Sequence, residues 1–521
     1  MLMKQENPSA NEGKQRLAAI DIGTNSIRCI VVETDETTGF RILDDEKATV
    51  RLGEGLARTG LISDEALQRA RQALGRMKKI TEGLGVTIVE TVATSAIRRA
   101  KNGQAFIDVV RNDCGLDIRL ISGEEEAELA MVSALHQFTL ESGRNIVFDI
   151  GGGSVEIVCA AGHHIEETVS LELGAVVLTE DFSRSDPMSD KEFKALRQHI
   201  RRELKKVVSG QECSSRMIIG SGGTVTAVGS MVVAMRREQY GSLNGYEVLR
   251  SEVVHLLTML RRKNLAERRE LAGLNADRAD IIVAGVVLVD ELMCRFGANI
   301  LRINDRGIRE GLIVQSLAKH GLIKASDTCR DWRGSVQALA RSCHQDDGHG
   351  QTVARLALVL FDALAEETAL SKRDREMLEA AALLHDIGYF ISYAQHHKHS
   401  CHLIRHADLF GFTPREREII ANLARYHRKS LPKKSHDNFQ RLTQGDRLRV
   451  KYLAGMLRLA DGLDRRRGGA VRQLECVPHP DCLAIRLHGE GDCSVELHGG
   501  EAKSDLLASV LGRRLDIRIA D

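Results

Sequence analysis

Two short phrases in this chain carry the same residue types at the same spacing. Asp21, Gly23, Thr24, Asn25 and Ser26 follow an apolar run that starts at Leu17, and Asp149, Gly151, Gly152, Gly153 and Ser154 follow one that starts at Asn145. A second apolar run succeeds each, so each copy reads as a β-hairpin. A carboxylate at a strand end can hold Mg2+, which keeps most of its waters and needs only one or two carboxylates beside phosphate oxygens. Turn N–H groups and the hydroxyls of Thr24, Ser26 and Ser154 suit phosphate. Either turn alone reads as an ordinary hairpin turn. Two copies matched at Asp, Gly and Ser predict facing lobes that grip one phosphate chain. A third phrase with Gly222, Gly223 and Thr224 follows a predicted strand and opens a helix, the setting for an anion at a helix N-terminus.

The elements that must position these residues alternate. Strands are expected at Ala48–Leu52, Val86–Ala93, Ile118–Ile121, His163–Leu171, Met217–Ile219 and Ile300–Asn304. Helices are expected at Asp64–Leu84, Phe106–Asp113, after Ser122, at Asp190–Val208 and at Arg309–Lys319. Two α/β lobes that open with the same hairpin describe a duplicated fold: a tail at 1–16 expected to be flexible, lobe I at 17–140 and lobe II at 141–320. Beyond Gly321 the spacing is helical through residue 469, and residues 470–521 read as a small α+β module with strands at Ala484–Leu487, Ser494–Leu497 and Leu515–Ala520.

The 521 residues exceed one core, and the formal net charge of +1 leaves any polyanion site to local clustering. Eleven scattered cysteines form no CxxC pair and fit a reducing compartment. The polar first sixteen residues lack the apolar core of a signal peptide, and no run is long enough to span a bilayer, so a cytoplasmic protein is expected.

Together the three Gly-rich phrases resemble the ATPase core shared by actin, hexokinase and the large heat-shock proteins. Further phrases narrow this: Ala93 to Asn102, Ile121 to Ala127 with Glu124, Glu125 and Glu126, Asp149 to Glu156, Arg278 to Gly285, and Asp305 to Gly311. In this order they resemble the exopolyphosphatase/guanosine pentaphosphate phosphohydrolase family, in its long form. The resemblance implies Mg2+-dependent hydrolysis of a terminal phosphoanhydride by water, with Glu126 as base, Glu125 as its substitute and Glu156 assisting through the metal or the water. It implies Asp21, Asp149 and Glu156 as metal ligands. Glu128 stands where the family often has Arg. Read without that resemblance, the three glutamates after Ser122 are the acidic first turn of a capped helix. Arg98 and Asn102, four apart, can reach one ligand, and a guanidinium would stabilise charge on a phosphoryl group in flight.

In the helical part, His349, the pair His385 and Asp386, and Asp461 resemble the HD phosphohydrolase superfamily, where such residues bind a divalent metal. A retained scaffold without metal is the equal alternative, and a scaffold without catalysis is the preferred reading, since one hydrolytic site is already accounted for. His427 is an additional candidate ligand, whereas His396, His397, His399, His402 and His406 read as surface or packing residues. Arg425, Arg428, Lys429, Lys433 and Lys434 form a basic cluster, either a solvated face or a track for a long polyanion. Aromatics are sparse and no nucleic-acid module is visible.

The sequence therefore predicts an exopolyphosphatase acting on inorganic polyphosphate. Guanosine pentaphosphate is the alternative substrate, and a non-hydrolytic alarmone- or nucleotide-binding regulator is the alternative of another class. The family resemblance also implies a homodimer.

Overall fold

The computed structural model describes residues 14–35, 39–138, 140, 143–162, 164–207, 215–323, 331–345 and 348–520. Most of the predicted tail, His163 and Val208 lie outside these. The chain divides into two compact units, Met1–Gln239 with Leu243–Arg330, and Asp331–Asp521 with Tyr240–Ser242.

In the first unit the strands are β1 (Arg16–Ile22), β2 (Ser26–Asp35), β3 (Gly39–Thr49), β4 (Ile88–Ala93) and β5 (Ile118–Leu120), then β6 (Arg144–Ile150), β7 (Val155–Ala161), β8 (His164–Leu171), β9 (Met217–Ser221), β10 (Glu247–Leu249) and β11 (Ile300–Ile303). Two sheets result, ordered β3-β2-β1-β4-β5 and β10-β11-β9-β6-β7-β8. Setting β6, β7, β8, β9 and β11 over β1, β2, β3, β4 and β5 reproduces the same order and the same parallel and antiparallel pairings. The duplication seen in the hairpins thus extends to whole sheets. β3 was expected at Ala48–Leu52 but ends at Thr49, because its Asp- and Glu-rich stretch forms a partly exposed strand without the alternation that marks one.

The helix Ile308–Lys319 departs from the predicted lobe boundary. Its Ile308, Leu312, Ile313 and Leu317 bury with Leu17, Ala19, Ile30 and Val32 of β1 and β2. The chain returns to the first lobe before leaving the unit, so one lobe is closed by both ends of the core.

The second unit is built of helices, Trp332–Ser342, Gly348–Thr368, Lys372–Leu384, His396–His406, Pro414–Tyr426 and Gln444–Gly462 chief among them. It ends in a sheet ordered β12 (Val471–Pro478), β13 (Cys482–Gly489), β14 (Arg514–Ile519). Leu474, Leu483, Ile485, Leu487 and Ile517 share one core with Leu457, Leu459 and Leu463, so the sheet has no core of its own. The strand expected at Ser494–Leu497 is instead the start of a helix, Ser494–Ala502. A short apolar run does not distinguish the two states.

Candidate active site

The site is built by the paired hairpins. β1 and β2 place Asp21 opposite Arg28, and β6 and β7 place Asp149 opposite Glu156. Both turns close with the same bond, Gly23 N–H to the Ser26 carbonyl at 3.1 Å and Gly151 N–H to the Ser154 carbonyl at 3.0 Å. The turns meet: a Cβ on Gly153 would lie 2.4 Å from Ser95 Oγ and 2.7 Å from Thr24 Oγ1, so only glycine permits the approach. Asp21, Gly23, Thr24, Asn25, Ser26, Asp149, Gly151, Gly152, Gly222 and Gly223 line one cavity of about 110 Å3, joined by Arg28, Arg278, Arg309 and Glu310.

The electrostatics follow from burial. Desolvation pushes Asp21 up to about 6, against the pull of Arg309 and Arg28. Burial and the Asp149 charge push Glu156 up to about 8. Asp149 is also raised by burial, less so because Ser221 Oγ donates to it at 2.5 Å. Burial lowers Arg278 to about 10 and Arg28 below its usual range. Burial disfavours the Arg309 charge too, yet Glu310 and Asp45 hold its pKa above the usual value.

Glu126 stands at the edge of this set. It is buried, and its pKa is raised by desolvation and then by Glu156, with Asp21 and Asp149 adding to the rise. Arg98 opposes them: its guanidinium donates to Glu126 Oε2 at 3.3 Å and to the Ile121 carbonyl at 2.8 Å. Glu125, the substitute base, pairs instead with Arg119, and its backbone N–H is capped by Ser122 Oγ at 3.1 Å. Asp21 and Asp149 line the cavity while Glu126, Glu156 and Arg98 do not, and the charges of Glu156, Arg98, Asp21 and Asp149 all act on Glu126.

Two buried oxygens, Asp21 Oδ1 and Glu156 Oε2, have no hydrogen-bond partner. Unpartnered carboxylate oxygens suit a hard cation that keeps most of its waters and takes one or two carboxylates; among the described residues no three cleft carboxylates lie close enough together to hold one ion directly.

Four predicted binding residues, Asn102, Thr224, Gly153 and Ser154, do not line the cavity. Asn102 clamps the backbone of Ile62, donating to its carbonyl and accepting from its N–H, both at 2.9 Å. Thr224 is buried and packs on Gly285. Gly153 serves the approach of the two turns, and the Ser154 hydroxyl serves Glu156. Arg28, Arg278, Arg309 and Glu310 were given no role from sequence. The available signal was a charge inside an apolar strand (Arg28 between Ile27 and Cys29) and charges beside glycine in the later phrases.

In the second unit His349, His385, Asp386 and Asp461 do converge. His349 Nε2 lies 3.4 Å from Asp461 Oδ1 and 3.9 Å from Asp386 Oδ2, and His385 Nε2 lies 3.5 Å from Asp386 Oδ2. His427 joins them. His396, expected as a surface or packing residue, is 1% exposed and faces Asp386, because its helix turns that face inward.

Paired hairpins facing across a cleft of carboxylates and arginines define an actin-like, phosphate-handling α/β core. A sequence profile of the Ppx/GppA phosphatase family matches residues 30–320, and one for Ppx/GppA phosphatase domain III matches residues 332–488. The chain belongs to the Ppx/GppA phosphatase family. Among solved structures, the Ppx/GppA family member of Aquifex aeolicus is 29% identical with a TM-score of 0.52, covering 59% of this chain and 99% of its own. An exopolyphosphatase from Cytophaga hutchinsonii is 26% identical with a TM-score of 0.55, covering 58% of this chain and 98% of its own. Among the described residues no helix is long and apolar enough to cross a membrane.

Proposed function

We propose that this phosphatase removes the terminal phosphate of inorganic polyphosphate, with water as acceptor. Glu126 takes the proton of the attacking water, a role that typically contributes about 10²–10⁴-fold in rate. Arg98 favours the charged form of Glu126 against burial and Glu156, and the turn N–H groups of the two hairpins orient the phosphate chain. Arg28, Arg278 and Arg309 bring positive charge to the cavity wall, where phosphoryl transfer needs positioning and charge stabilisation more than covalent chemistry. Asp21, Asp149 and Glu156 would hold Mg2+ partly through its waters, and the charge of the ion offsets that of the phosphate oxygens.

The observation that carries polyphosphate over guanosine pentaphosphate is the lining. Glycine, small polar, charged and a few aliphatic residues form the cavity, and the adjoining one bounded by Arg51, Glu54, Glu180 and Asp280 is similar. Neither is lined by an aromatic ring among the described residues, so neither offers a face on which a base would stack. The Cytophaga relative is itself named an exopolyphosphatase. Orthophosphate release from long-chain polyphosphate and from guanosine pentaphosphate, each with Mg2+, tests the reading. Preference for polyphosphate in kcat/KM supports it, and preference for guanosine pentaphosphate overturns it.

A further inference from the structure

The duplication that builds the cleft gave its two rows of neighbouring residues opposite character. In the second sheet, β9, β6, β7 and β8 set Ser221, Asp149, Glu156 and Ser170 side by side. Ser221 Oγ donates to Asp149 Oδ2 at 2.5 Å, and Ser170 Oγ to Glu156 Oε1 at 2.9 Å. Each carboxylate thus has a neutral donor on its outer side. In the first sheet the matching strands β4, β1, β2 and β3 set Val92, Asp21, Arg28 and Lys47 side by side. Where the second lobe carries Glu156 and Ser170, the first carries Arg28 and Lys47.

Residues directly opposite on neighbouring strands share one face of the sheet. Arg28 lines the cavity, so Lys47, one strand further out, stands on the cleft side. Asp45 and Thr49, two residues away on either side, belong to the same face of β3. Both are engaged: Asp45 by Arg309, and Thr49 by Asp277 Oδ2 at 3.3 Å. The ammonium of Lys47, between them, makes no ion pair or hydrogen bond among the described residues.

Lys47 is exposed, so a ligand arriving from solvent can reach it. Its pKa lies below the usual value, through desolvation first and then the charges of Arg278 and Arg28, with Asp277 opposing. Lys47, Arg28 and Arg278 thus crowd one side of the cleft, and Asp277, which offsets Lys47, already accepts from Thr49. Like charges directly opposite on paired strands destabilise a sheet. Stability alone would favour a carboxylate or a neutral donor opposite Arg28, as Ser170 stands opposite Glu156. An anion between these cations relieves their repulsion.

We propose that Lys47 holds an internal phosphate of the polyphosphate substrate, so that the chain leaves the cleft over β3, at the edge of the first sheet. This rests on the polyphosphate reading of the cleft and adds the path of the chain to it. Arg28, in the cavity wall, meets the chain one step earlier. A lysine ammonium binds phosphate as a compact point charge with three rotatable donors, which suits a chain of like units that must slide past after each cut. Among the described residues β3 pairs with β2 alone, so no further strand closes that edge. The carboxylate row of the second lobe then faces the ion and the water, and the cationic row of the first faces the chain.

The test is binding, measured by calorimetry on the full chain carrying Glu126→Gln, with Mg2+ and two probes, long-chain polyphosphate and orthophosphate. Adding Lys47→Gln should weaken polyphosphate binding by about 10-fold, the loss of one hydrogen bond to a charged group, and Lys47→Glu by about 100-fold. Lys47→Arg, which keeps the charge, should recover most of the affinity. Orthophosphate has no internal phosphate, so its binding should change less than about twofold in these variants. Lys79→Gln removes an equal charge from the exposed side of the helix Asp64–Gly83 and should leave polyphosphate binding as it was, which separates contact from net charge. With Glu126 intact, Lys47→Gln should raise KM for polyphosphate more than it lowers kcat. Equal polyphosphate affinity in Lys47→Gln and its parent overturns the proposal and leaves the polyphosphate reading standing. So does a loss that orthophosphate or Lys79→Gln shares. A parent that binds orthophosphate but not polyphosphate overturns both.

Discussion

Removing Arg98 should shift the pH profile of the reaction more than it damages binding. Glu126 is pushed toward its neutral form by burial and by Glu156, and Arg98 is the named counterweight, 3.3 Å from its Oε2. At an effective dielectric constant of about 20 a full charge at that distance is worth roughly 5 kcal/mol. Arg98 is 28% exposed, so solvent reduces this, and a shift of about 1–3 pK units is the realistic range. A general base works when deprotonated, so activity appears as pH rises through its pKa. In Arg98→Ala that pKa is higher, and the acidic limb of kcat/KM should move to higher pH by about 1–3 units. At pH 7 the rate should fall, and it should partly recover at alkaline pH. Arg98→Lys, which keeps the charge, should shift the limb less. Phosphate release from polyphosphate between pH 6 and about 10 measures both variants. A large loss with an unmoved limb would refute the reasoning, because Arg98 would then act on substrate alone.

Three further outcomes are expected. Without divalent ion, the Glu156 carboxyl keeps its proton up to about 8, whereas in the unfolded chain it loses it near the ordinary glutamate value of about 4.5. The fold then binds more protons across that window, so stability should fall as pH rises from about 4.5 to 8. Mg2+ should reverse the trend and release protons on binding. Melting curves with Mg2+ or a chelator check this, and a chelated protein whose melting temperature is flat over that range would contradict it. Asn102→Ala should lower stability by about 1–3 kcal/mol through the lost clamp on Ile62, with kcat unchanged; a loss of activity without a loss of stability would return Asn102 to the site. In Gly223→Ala the new Cβ would lie 1.7 Å from the Arg278 guanidinium, so Arg278 must swing away from the cavity. Activity should drop while the far-ultraviolet spectrum holds, and full activity would show that Arg278 has no part in turnover.

What was legible in the sequence was what repeats. The two hairpins share residue types because they share a task, and the matching of Asp21 with Asp149 carried through to matched sheets. Glu126 was singled out only through its family phrase, since by local rules it is one of three acids in a capped first turn. Its burial and the diversion of Glu125 to Arg119 are tertiary facts. Asn102 is engaged with Ile62 instead of sharing a helix face with Arg98, because a spacing of four implies one helix face only while the helix lasts. The helix Ser95–Arg99 stops at Ala100, whose ψ of 130° is extended, and Asn102 begins the next one. The helix Ile308–Lys319 followed lobe II in the chain and so was counted with it. Its return to the first sheet depends on which apolar faces fit, which spacing does not encode.

The account rests on one carboxylate priming water at the meeting of two phosphate-binding turns. Phosphate release from polyphosphate by Glu126→Gln, with binding of the chain measured in parallel, tests it most directly. Turnover should fall by about 10²–10⁴-fold while binding persists. Turnover within a few-fold of the wild-type chain would contradict the account.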